Sequence, residues 1–146
     1  MIRKHPLSWK AEDTHYETTH TMKQRLLVVD DNEMMRAFLE HYFGNHYEVY
    51  TAFNGKDAWD WLDKGHFPDV IVLDLRMPDI SGLDFLQQLK CSVLFNDIPV
   101  IMLSSVEKTE SRIACLEAGA ADYVVKPFNP KELAVRIQYH LRVNRA

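Results

Sequence analysis

The stretch Asp69-Val70-Ile71-Val72-Leu73-Asp74-Leu75-Arg76-Met77-Pro78 decides how the rest of the chain is read. Four apolar residues stand in an unbroken row, without the alternation of a strand that has one face in water. Such a row suits a parallel strand covered on both sides, and it ends in an acid. Working outward, Leu26–Asp30 and Val100–Ser104 repeat the pattern, each closing on a polar residue. Two further strands are predicted, at Glu48–Ala52 and Asp122–Val125. The first of these is the more polar, as an edge strand should be.

Helical spacing fills the gaps. Met34, Met35, Phe38, Leu39 and Tyr42 recur at threes and fours, and Gly44 closes that helix. Asn54-Gly55 opens a second with Ala58, Trp59 and Leu62, ending near Gly65. Leu83, Phe85, Leu86 and Leu89 mark a third. Ile113, Leu116 and Ala118 mark a fourth, stopped by Gly119. Asn129 caps a fifth with Pro130 in its first turn, carrying Leu133, Val135, Ile137 and Leu141. Five strand–helix units with short links predict an α/β fold, a doubly wound parallel sheet with right-handed crossovers.

The 146 residues fit one domain of this kind, 23–146, with 1–22 as a flexible N-terminal extension. That extension holds His5, His15 and His20 at a spacing that matches no common metal-ligand pattern. Apolar residues make up 47%, enough for a single core, yet no run approaches the ~20 residues of a membrane span. No apolar stretch follows Arg3 and Lys4 to make a secretory signal. Net charge is −4, which offers no broad basic surface to nucleic acid. Cys91 and Cys115 form no CxxC pair and read as reduced thiols. The expectation is a soluble, cytoplasmic protein.

In a doubly wound sheet, ligands bind beyond the carboxyl ends of the strands. Here those ends carry Asp30 and Asp31, then Asp74, then Ser104, with Lys126 after the last strand. Taken singly, each has a bland reading: an N-cap, a loop acid, a solvated lysine. Taken together they describe a pocket. Gathered carboxylates repel one another and resist desolvation, so a cation must offset them. Lys126 is one candidate and a hard divalent ion the other. Oxygen donors without His or Cys point to Mg²⁺ and to phosphoryl chemistry.

At these residues the chain resembles the receiver domains of bacterial two-component response regulators, the single-domain chemotaxis regulators among them. The likeness lies in Leu26-Leu-Val-Val-Asp30-Asp31-Asn32, Asp69 to Pro78, Ser81-Gly82, Ile98 to Ser105 and Ala120 to Phe128, and it covers about residues 24–144. It implies a flavodoxin-like (βα)5 fold with strand order 2-1-3-4-5. It implies that Asp74 accepts a phosphoryl group from a histidine kinase or phosphotransfer protein. By the same resemblance Asp30, Asp31, Asp74 and the backbone carbonyl of Arg76 hold Mg²⁺. Ser104 bonds a phosphoryl oxygen, Lys126 pairs with the group, and the Lys126–Pro127 bond is cis. Ser104 and Tyr123 form the switch, remodelling the surface of the fourth helix, fifth strand and fifth helix for an unknown downstream protein. Arg76 and Val106 stand where the family tunes the lifetime of the phosphoryl group, here expected to be intermediate.

The segment from Phe128 to Leu133 also resembles receivers joined to winged-helix DNA-binding domains, which dimerise through charged pairs on that same surface. Asp122, Glu132 and Arg136 fit that scheme, whereas Ala114 and Ala121 replace charges. A monomer or weak homodimer is expected, with no direct contact to nucleic acid or membrane. Two rivals remain. A Mg²⁺-dependent phosphohydrolase with an aspartyl-phosphate intermediate wants a second Asp two residues after the first, where this chain has Arg76. A phosphate-independent protein-binding module has no need of the full pocket. Beyond its own phosphorylation and dephosphorylation, the protein is not expected to be an enzyme.

Overall fold

The structure, a computed structural model, describes residues 22–145. The extension expected at 1–22 lies outside those residues except for Met22, which is exposed. The strands are β1 (Gln24–Val29), β2 (Tyr47–Ala52), β3 (Val70–Asp74), β4 (Val100–Ser104) and β5 (Asp122–Val125). They alternate with helices α1 (Glu33–Phe43), α2 (Gly55–Asp63), α3 (Gly82–Lys90), α4 (Thr109–Glu117) and α5 (Pro130–Arg145). All pairs are parallel, in the order β2-β1-β3-β4-β5. This is the doubly wound parallel sheet that the residue pattern predicts, in the flavodoxin-like (βα)5 order that the resemblance implies.

Alternation along the strands feeds two cores. Leu27, Val29, Ile71, Leu73, Val100 and Met102 face one side, against Ala58 and Leu62 of α2, Phe85, Leu86 and Leu89 of α3 and Cys115 of α4. Leu26, Val28, Val70, Val72, Ile101 and Leu103 face the other, against Leu39 and Phe43 of α1 and Leu133, Ile137 and Leu141 of α5. With apolar layers on both faces, a polar residue has no place inside β1, β3 or β4 and moves to their ends.

Helix starts follow local chemistry. Asn32, Asn54 and Ser81 each accept a hydrogen bond from the third residue of the helix they precede. Because Asn32 caps α1, neither Asp30 nor Asp31 is needed there. Asn129 accepts from Lys131 N–H and opens α5. Gly119 has φ of 111° and Gly65 of 100°, the left-handed conformation that stops a helix. Gly44 is different: it closes α1 at φ −64°, where a Cβ would press on the Glu40 carbonyl.

Several details differ from the sequence reading. β1 begins two residues earlier, because Gln24 pairs with Tyr47, and it ends before Asp30. Some residues assigned to apolar stripes face solvent. Met34 is 81% exposed, and Phe38, Tyr42, Ile113, Leu116 and Val135 are also open. Helical spacing marks a wide arc, but the sheet covers only part of it. In α4 that part is Cys115 rather than Ile113 or Leu116.

Candidate functional site

Strand register builds the site. Val29 pairs with Leu73, so Asp30 and Asp74 emerge side by side from β1 and β3. Asp74 pairs with Leu103, placing Ser104 one residue farther out on β4. Ser104 pairs with Val125, and Lys126 follows it. Residues distant in sequence therefore meet along one edge of the sheet.

One carboxylate oxygen from each of Asp30, Asp31 and Asp74 lies within 4.8 Å of the others. Asp30 is 2% exposed and Asp74 7%, while Asp31 faces solvent. Lys126 Nζ stands 3.2 Å from Asp30 Oδ2 and 3.5 Å from Asp74 Oδ1. The Lys126–Pro127 peptide is cis. One ammonium, paired to Asp30 and Asp74, stands beside a cluster of three carboxylates, and the balance is negative. Burial pushes the Asp74 carboxyl up, with Asp30 and Asp31 adding to the rise and Lys126 opposing it, to about 6.

The donor set fits Mg²⁺. Every side chain is a hard oxygen donor, the three converge, and their charge exceeds what Lys126 neutralises. Arg76 lies in the loop leaving β3, with its side chain exposed.

Ser104 is 1% exposed, and its Oγ accepts from Val106 N–H at 3.0 Å. Tyr123 is turned inward, 7% exposed, and its hydroxyl donates to the Val106 carbonyl at 2.6 Å. The Arg112 guanidinium lies over the Tyr123 ring, 5.5 Å from its centre. On the adjoining face Asp122 is paired within the chain, to Arg136 at 2.7 Å and His140 at 3.0 Å, and Arg136 also grips Glu132.

Three residues to which the sequence reading gave no role support the site. Asn32 N–H donates to Asp30 Oδ1 at 2.9 Å. Arg36 donates to the Asp30 carbonyl at 2.9 Å. Gly82 N–H donates to Leu75 O at 2.7 Å, and a Cβ at Gly82 would run into the Asp74 carbonyl oxygen. The cap signal could have found Asn32, and Gly82 follows a Ser cap. Nothing in the sequence reveals that Arg36 turns back on Asp30.

Residues 26–138 match the family model described as the response regulator receiver domain. The protein named "Probable transcriptional regulator ycf27" of Porphyra purpurea is 44% identical over 123 residues, 82% of this chain and 48% of its own length. The receiver domain of Francisella response regulator 1452 is 33% identical with a TM-score of 0.75, covering 82% of this chain and 98% of that one. Chemotaxis protein CheY4 of Vibrio cholerae is 31% identical with a TM-score of 0.75, covering 80% and 98%. The chain spans about half the length of the curated relatives it matches. With the sheet order and the acidic edge already in place, these matches settle its kinship: the chain belongs to the response regulator receiver family, phospho-accepting signalling switches rather than metabolic enzymes.

Proposed function

We propose that Asp74 is the phosphoryl acceptor of a Mg²⁺-dependent switch, with Asp30, Asp31, Asp74 and the Arg76 carbonyl as the metal's protein ligands. The observation that carries this reading is the convergence of three carboxylates on one point, with the Lys126 ammonium paired to two of them, Asp30 and Asp74. When bound, the metal would neutralise charge on the phosphoryl oxygens and help align the transfer. Asp74, with its carboxyl held at about 6, is ionised at neutral pH and supplies the attacking oxygen. Its new bond to phosphorus forms as the bond from phosphorus to a histidine nitrogen of the donor breaks, the nitrogen leaving with that electron pair. The donor is a histidine kinase or phosphotransfer protein.

Lys126 already bridges Asp30 and Asp74 and pairs with the incoming charge of about −1.5 to −2. Ser104 accepts from Val106 N–H, which leaves its own proton to donate to a phosphoryl oxygen. Such a charged hydrogen bond contributes ~1.5–3 kcal/mol, whereas inverting a 1:99 population takes about 5.5 kcal/mol. Ser104 therefore acts with Lys126 and with repacking around Tyr123. The output surface is α4, β5 and α5, where an unknown downstream protein binds.

Asp122, Arg136 and Glu132 satisfy one another within the chain, which supports a monomer or weak homodimer over a strong charged dimer. Among the described residues no helix is long and apolar enough to cross a membrane. The protein acts in the cytoplasm, on a protein partner and without direct contact to nucleic acid. Residues 23–146 form the receiver and 1–22 an extension to it.

Acetyl phosphate with Mg²⁺ tests the reading. Intact mass should show a single phosphoryl adduct that is lost with EDTA and lost in Asp74→Asn. An adduct that persists in Asp74→Asn rejects Asp74 as the acceptor. Chemical shifts with and without beryllofluoride should then change beyond the pocket, along α4, β5 and α5.

A further inference from the structure

Asp30 is held at four atoms. Its N–H donates to Ala52 O at 3.1 Å, continuing the β1–β2 ladder. Its Oδ1 accepts from Asn32 N–H and its Oδ2 faces Lys126. Its carbonyl has left the ladder, since β1 pairs with β3 only as far as Val29. Arg36, one turn into α1 and half-buried, donates Nη1 to that carbonyl at 2.9 Å.

The same guanidinium lies over the exposed Phe53 ring, 6.0 Å from its centre. Phe53 N–H in turn donates to Asp57 Oδ2 at 3.2 Å, which fixes the loop between β2 and α2. Arg36 is thus held from a second element while it holds the peptide joining Asp30 to Asp31. Rotation of that peptide would swing Asp31. Among the described residues the Asp31 carboxylate has no hydrogen bond or ion pair, and yet it lies in the three-carboxylate cluster.

We propose that Arg36 is a positioning residue for the divalent cation: by fixing the Asp30–Asp31 peptide it keeps the Asp31 carboxylate turned toward Asp30 and Asp74. This inference rests on the Mg²⁺ reading of the pocket. Partners outside a metal's own ligands commonly change affinity by ~10–100-fold. A planar guanidinium can both donate to the carbonyl and lie flat on Phe53, which an ammonium cannot do.

Calorimetric titration of the whole chain with Mg²⁺ tests it, on wild type, Arg36→Ala, Arg36→Lys and Phe53→Ala. Urea unfolding in EDTA is measured alongside. Arg36→Ala should weaken Mg²⁺ about 10-fold, with the Asp31 amide resonance displaced in the metal-free spectrum. Arg36→Lys should recover part of the loss, and Phe53→Ala should lose less than Arg36→Ala. Arg36→Ala binding Mg²⁺ as tightly as wild type, whatever its stability, would overturn the proposal. A wild type that binds no Mg²⁺ would instead sink the metal reading, and this inference with it.

Discussion

Ser104 and Tyr123, on neighbouring strands, close on one and the same residue. The Ser104 hydroxyl accepts from the Val106 N–H, and the Tyr123 hydroxyl donates to the Val106 carbonyl. The two switch candidates are therefore linked through the backbone of a loop that neither belongs to. These contacts would give a pull on Ser104 toward the pocket a route through Val106 to the ring that Arg112 covers.

The Tyr123→Phe variant measures that link. It keeps the buried ring and strands the Val106 carbonyl, and should cost ~0.5–1.5 kcal/mol in urea unfolding. It should also shrink the shift changes that beryllofluoride produces on α4 and α5. Full stability with an undiminished response would show that the hydroxyl carries no coupling.

Asp74 makes stability depend on pH. Its folded value, about 6, lies above the unfolded value near ~3.9. The folded state therefore holds its proton more tightly, and stability falls as pH rises from about 4 to about 6. At pH 8 without metal, the ionised carboxylate costs on the order of 2–3 kcal/mol. Asp74→Asn should be the more stable protein by about that much in EDTA at pH 8, with the gap closing toward pH 4. Equal midpoints in urea at pH 8 would contradict it.

Asp122 has the opposite sign. Burial alone would raise its carboxyl, but hydrogen bonds from His140, the Tyr123 N–H and Arg136 outweigh that and hold it below the ordinary range. Stability from this group is full above the unfolded value near ~3.9 and is lost as pH falls through the lower folded value. Asp122→Asn should be less stable than wild type at pH 7, and the difference should disappear in acid. A constant difference across that range would assign the loss to packing.

Gly82 tests the backbone behind Asp74. A methyl group there meets the Asp74 carbonyl and the Leu75 Cα, neither of which can yield without moving the loop. Gly82→Ala should cost about 1–3 kcal/mol and slow labelling by acetyl phosphate. A variant of wild-type stability and rate would show that the loop gives way freely.

How much was legible varies by element. The unbroken runs at Val70–Asp74 and Val100–Ser104 gave both strands at their observed bounds, because a strand covered on both faces leaves no polar residue to blur its ends. The stripes of α1 and α4 misled, since spacing says that Met34 or Ile113 lies on an apolar arc and not whether anything covers it. Asn32 was legible as a cap in principle. Arg36 was not, because a side chain that turns back on a strand end leaves no periodic trace.

Composition and order along the chain were enough for five strand–helix units and for acids at the strand ends, since period and burial are local consequences of residue type. Only the folded sheet brought residues 30, 74 and 126 within reach of one another, because their meeting depends on which strands are neighbours and in what register. Distance, burial and the raised Asp74 carboxyl are properties of that meeting. No one of those side chains possesses them alone.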